Sequence, residues 1–142
     1  MKLYNQVAAL PFKEGPECSI CLITSRETGR WILPKGWAKA GIDNFEMAAS
    51  EAREEAGLTG TCLIPQIGNY HYTKKLHTFA SITCEVDVYA FLVTGELTDW
   101  REKNERNRRW FTKEEAATLV DEPELQLILK EFDFKHHSAR AS

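Results

Sequence analysis

Three glutamates, Glu51, Glu54 and Glu55, stand at i, i+3 and i+4 in a segment with helical spacing. At roughly 100° per residue they share one face about 100° wide. Like charges at these intervals repel, by on the order of a few tenths of a kcal/mol per pair. All three also lie towards the C-terminal end of the helix, where its dipole disfavours negative charge. Arg53 projects away from the row. A hard divalent cation among the carboxylates resolves the conflict, because magnesium takes oxygen ligands and shares them with substrate phosphates. Glu51, Glu54 and Glu55 are therefore candidate metal ligands, the alternative on spacing alone being a solvated acidic helix face. Magnesium is the expected ion, with manganese as an alternative.

The elements around the row are built to hold it. Asp43-x-x-Glu46 has the spacing of a helix N-terminal capping box, with Asp43 as cap and Glu46 reaching back. The helix runs to about Ala56, and Gly57 is the stop expected just past a helix end. Phe45, Ala48, Ala49, Ala52 and Ala56 form a second face, mostly alanine, that lets the helix press close to a sheet. Upstream, Leu33-Pro34-Lys35-Gly36 breaks a short apolar piece, and Gly36 precedes Glu51 by fifteen residues.

The stretch from Gly36 to Leu58 resembles the Nudix box, G-x5-E-x7-R-E-U-x-E-E-x-G-U, where U is a bulky apolar residue. Gly36, Glu51, Glu54, Glu55, Gly57 and Leu58 match. Ile42 stands where the pattern has its first glutamate, Ser50 where it has arginine, and Ala52 at an apolar position. Ser25-Arg26, Arg30-Trp31, Gly95–Trp100 and Arg106–Phe111 are similar to one subgroup, the diphosphoinositol polyphosphate phosphohydrolases. That subgroup also cleaves diadenosine polyphosphates. Its N-terminal basic residues are replaced here by Tyr4-Asn5-Gln6.

The resemblance implies metal-assisted attack of water on phosphorus at a phosphoanhydride bond. It implies that Glu51, Glu54 and Glu55 hold the metal, with a backbone carbonyl of Lys35 or Gly36 completing the coordination. It also implies that Arg26, Arg30, Lys35, Arg106 and Arg108 bind the phosphates, with Lys39, Lys74 and Lys75 as further candidates. The base is Glu54 or Glu55, or else Glu85, Glu102 or Glu105 outside the box. The box arginine of the family orients a box glutamate, which Ser50 cannot do. Two other activities fit the same resemblance: a nucleoside triphosphate pyrophosphatase, and a ligand-sensing module without turnover.

The rest of the chain reads as strands and two C-terminal helices. Val7–Phe12, Ser19–Ile23, Thr61–Leu63, Gly68–Tyr72 and Phe79–Val93 have strand character. Lys74-Lys75 reads as loop, and 99–109 as a long polar excursion. Thr112-x-x-Glu115 caps a short helix, and Glu122-Pro123 opens the last. The fold class is α/β: a Nudix-type α/β/α sandwich with a mixed sheet and a catalytic loop–helix–loop. One domain is expected over residues 1–134, with 135–142, including His136-His137, as a flexible tail.

With 142 residues, 43% hydrophobic and 27% charged, the chain can bury a core of its own. The net charge of −3 disfavours a nucleic-acid binder. Any phosphate-binding charge must therefore be concentrated locally. No run is long and apolar enough for a membrane span or a signal peptide, so the expected location is cytoplasmic. The expected partner is a small polyphosphate, bound by a monomer or homodimer. Cys18 and Cys21 sit at i and i+3 in a strand, on opposite faces, which suits structural thiols and not a metal pair.

Overall fold

A computed structural model describes residues 2–134. The strands are β1 (Leu3–Lys13), β2 (Ser19–Thr24), β3 (Trp31–Ile32), β4 (Lys35–Trp37), β5 (Leu58–Cys62), β6 (Gly68–His77), β7 (Ala80–Glu96) and β8 (Arg108–Thr112). The helices are α1 (Asn44–Ala56), α2 (Lys113–Leu119) and α3 (Pro123–Glu131), with a 3-10 turn at Lys103–Glu105. The mixed sheet runs β3-β2-β1-β7-β5; β4 also pairs with β1, β6 with β7 and β8 with β2. At its centre β1 and β7 pair in parallel, from Leu3 opposite Thr83 to Phe12 opposite Leu92.

Alternation along the strands divides the core into two layers, because successive side chains point to opposite faces. On β1 and β2, Leu10, Phe12, Ile20 and Leu22 turn towards α2 and α3, meeting Ala116, Leu125 and Leu129. Ala9, Cys21 and Ile23 turn the other way, towards Ala48, Ala52 and Ala56 of α1. The alanine face thus packs on the sheet as its composition requires, and the fold is the expected α/β/α sandwich. Cys18 and Cys21 fall in opposite layers. Burial pushes the Cys21 thiol up to about 12, so it is an inert packing group.

Several local expectations change. Asp43 occupies the N-cap of α1 with extended backbone, but its side chain makes no capping hydrogen bond. Thr112 and Glu115, in contrast, form both bonds of a capping box on α2. Lys35-Gly36-Trp37 does not break the sheet; it pairs antiparallel with Gln6, Val7 and Ala8 of β1. Lys74 and Lys75 lie in β6, opposite Ile82 and Ser81 of β7. Their polar sequence reads as loop, but the partner strand supplies the backbone hydrogen bonds that polarity alone does not reveal. The His136-His137 tail lies outside the described residues.

Candidate active site

Helix α1 ends in a clamp. Gly57 adopts a left-handed φ of 66°, and its N–H returns to the carbonyls of Ala52 and Arg53. A Cβ at this glycine would lie 2.4 Å from the Trp100 ring. The Trp100 indole donates to the Glu55 carbonyl at 3.2 Å. Arg108 Nη1 donates to the carbonyls of Ala56 (2.9 Å), Gly57 (3.3 Å) and Leu97 (3.3 Å). Its guanidinium stacks on Trp100 at 4.2 Å. A cation on the last carbonyls suits both the dipole and the orphan acceptors of a helix end.

The clamp presents α1 to a cavity of about 440 Å³. Glu51 and Glu55, one turn apart, line its floor, and their carboxyl groups interact directly. Glu55 is 8% exposed. Burial pushes its carboxyl up to about 8, the Arg106 charge opposes this, and the Glu51 charge adds to it. Glu51 is also raised, by burial first and then by the charges of Glu54 and Glu102. Glu55 Oε1 accepts the backbone N–H of Lys35 at 3.2 Å and faces Arg106 Nη2 at 3.8 Å. Gly36 leaves room for the Glu51 carboxylate, since a Cβ there would lie 2.5 Å from Glu51 Oε1 and push that side chain aside.

Glu54 takes a different direction. Its Oε1 accepts from Arg101 Nη1 at 3.4 Å, and it does not line the cavity. The i, i+4 pair is thus brought together and the i+3 member is not. Of the outside carboxylates, Glu102 binds Arg106 Nε at 2.8 Å and Glu105 binds Arg26 Nη1 at 3.1 Å. Glu85 instead pairs with His71, which also contacts Glu124.

The walls carry the positive charge that the overall composition lacks. Arg26, Arg30, Lys35, Lys39, Lys74, Lys75 and Arg106 line the cavity, against Glu27, Glu51 and Glu55. Arg30 is anchored by the buried Glu122 at 2.9 Å. Burial lowers Lys35 to about 8, and its ammonium sits 4.9 Å over the Tyr72 ring. Arg108, placed with the phosphate binders on sequence grounds, lies outside the cavity in the helix clamp. Two aromatic side chains, Trp37 and Tyr72, also line the cavity. Tyr70 is buried in the core. Reading from sequence missed Gln6, whose Oε1 accepts the Tyr72 hydroxyl at 2.7 Å. It also missed Ser25, Thr28 and Thr73 of the wall. The one available signal was a glutamine inside an apolar strand.

The carboxyl chemistry fits a divalent cation. A half-buried and a buried carboxyl meet here; once both are ionised they repel, and a cation between them removes the repulsion. Among the described residues no group of three His, Cys, Asp or Glu side chains is arranged to ligate a metal. Two carboxylates are nonetheless enough for magnesium, which keeps water and takes its other oxygens from substrate phosphates.

Sandwich, glycine turn and acidic pair under a basic cavity together define an α/β protein suited to a phosphorylated small molecule. The chain belongs to the Nudix hydrolase family: the family model described as NUDIX domain matches residues 4–132. Members of this family generally use divalent metal ions. The chain is 32% identical over 131 residues to Nudix hydrolase 16, mitochondrial, of Arabidopsis thaliana, covering 90% of this chain and 72% of that protein. It is 32% identical over 121 residues to diphosphoinositol polyphosphate phosphohydrolase 3-beta of Bos taurus, covering 82% and 68%. Its fold is similar to the crystal structure of the C. elegans Ap4A hydrolase, with a TM-score of 0.62, 16% identity, and coverage of 91% and 95%. The chain spans 46% to 72% of the length of five plant relatives it matches. No helix among the described residues is long and apolar enough to cross a membrane.

Proposed function

We propose that the chain hydrolyses a phosphoanhydride bond of a small polyphosphate, with diadenosine and diphosphoinositol polyphosphates as the candidate substrates. The observation that carries this reading is the interacting Glu51–Glu55 pair on the floor of a cavity otherwise rich in cations. The names of the bovine and nematode proteins support the choice of candidates. Magnesium, or manganese in its place, would supply charge neutralisation at the phosphate oxygens and an acidified water. Glu51 and Glu55 would hold the ion, with backbone oxygen from Lys35 or Gly36. Arg26, Arg30, Lys35, Lys74 and Lys75 would bind the phosphates beyond the scissile bond. Glu54, turned to Arg101 and off the cavity lining, would join the carboxylate set only on releasing that partner, and Glu54→Gln is assayed beside Glu55→Gln.

The test is turnover of a panel containing a diadenosine polyphosphate, a diphosphoinositol polyphosphate and nucleoside triphosphates, with magnesium. Cleavage of either of the first two is expected, with loss of turnover in Glu55→Gln. Rapid release of nucleoside monophosphate and pyrophosphate from a triphosphate would move the substrate class. Binding of the panel without cleavage would make the chain a ligand-binding module.

A further inference from the structure

Ser50 leaves α1 without the arginine that the box pattern places beside its glutamates, yet Glu55 faces a guanidinium from elsewhere in the chain. Arg106 follows the 3-10 turn and precedes β8, 51 residues after Glu55. Its side chain is only 7% exposed. Nε donates to Glu102 Oε1 at 2.8 Å, and Nη1 donates to the Thr24 carbonyl at 3.0 Å. Those two bonds fix the plane of the guanidinium, and Nη2 is left 3.8 Å from Glu55 Oε1. On its other side the same oxygen accepts the Lys35 amide. Arg106 commits Nε and Nη1 to protein oxygens, which fixes its place in the wall, and Nη2 is the group it turns towards Glu55.

Resting on the proposed hydrolase reading, we infer that Arg106 is a positioning residue: held by Glu102 and Thr24, it orients the Glu55 carboxylate and replaces in trans along the chain the arginine absent at Ser50. The planar guanidinium suits this task because its donors are fixed relative to one another. A lysine keeps the charge but cannot serve Glu102, Thr24 and Glu55 from one rigid plane. Groups that orient a metal-binding side chain typically matter by about 10- to 100-fold in metal affinity or activity.

The experiment compares the wild type, Arg106→Lys and the double variant Ser50→Arg/Arg106→Lys. Each is measured for manganese affinity by calorimetry, for kcat and KM on the best substrate of the panel, and for thermal unfolding. In Arg106→Lys the manganese Kd is expected to rise about tenfold and kcat to fall at least as much, with KM within about threefold. Arginine at position 50 is expected to restore both in the double variant, although it adds a positive charge near the metal. A raised KM at unchanged kcat and manganese affinity would make Arg106 a phosphate contact and overturn the inference. So would a lowered unfolding temperature whose losses Ser50→Arg does not recover, since that marks a purely structural role. Unchanged values throughout would overturn it as well. A wild type that binds no manganese defeats the hydrolase reading first and the inference with it; a wild type that binds, with variants that behave alike, defeats the inference alone.

Discussion

Glu55 lies on the cavity floor with a single backbone donor, from Lys35, and the Glu51 carboxyl beside it. Burial raises its ionisation from the ordinary 4.5 to about 8. A carboxyl whose folded-state value is raised loses stability as pH rises, because the unfolded chain gives up the proton first. For the metal-free protein this contribution sets in above about pH 4.5 and is complete above about pH 8. Glu55→Gln keeps the shape and removes the charge. We expect it to stabilise the metal-free protein by on the order of 1 to 3 kcal/mol at pH 8, and by much less at pH 5. The same variant is expected to lose about 10²-fold or more in turnover. Urea unfolding at both pH values, with chelator present, measures the first effect. An equal gain at pH 5 and pH 8 would place its origin in packing and not in the charge.

Among the elements, α1 is the one whose placement decides the site, and it is fixed at its C-terminal end. Two helix-end carbonyls, those of Ala56 and Gly57, and the Leu97 carbonyl beside them converge on Arg108, with Trp100 packed over Gly57. Arg108→Ala removes that donor and its stack on Trp100. It is expected to cost about 1 to 2 kcal/mol in unfolding free energy, while kcat/KM per folded molecule changes by less than about twofold. Matched denaturation and kinetic measurements check this, and a large rise in KM without loss of stability would return Arg108 to the phosphate binders. The helix itself was legible because its signals are local. The alanine face, the glutamate row and Gly57 all lie within a few turns and follow one period. The direction of Glu54 was not legible, because Arg101 draws it away and is 47 residues distant. Nor was the strand at Lys74-Lys75, whose order comes from pairing with β7 and not from its own composition.

Across the whole molecule, the cavity exists only when distant segments close on one another. Gln6, Arg30, Glu55, Lys74 and Arg106 reach it from five parts of the chain. The sandwich could be read from apolar alternation, since each strand declares its own two faces. The pairing of Arg30 with Glu122, 92 residues apart, could not, since charge partners leave no periodic trace. Closure also sets a pH dependence for the assembled site. Lys35 is lowered to about 8, by burial first, with Arg30 and Lys74 acting in the same direction and Glu55 and Glu122 opposing. In the free enzyme its ammonium is therefore lost as pH rises through about 8, and with it the phosphate contact proposed for it. The Lys35 contribution to kcat/KM is expected to fall through that range, because this parameter reports ionisations of the free enzyme. Its contribution to stability has the opposite sign. Between about pH 8 and 10.5 the unfolded chain holds the proton that the folded chain has released, so stability rises with pH. Lys35→Arg stays charged throughout. Its kcat/KM profile should lose the step near pH 8, and its stability should no longer climb over that interval. A step near pH 8 that persists unchanged in Lys35→Arg assigns the ionisation to another group in the cavity.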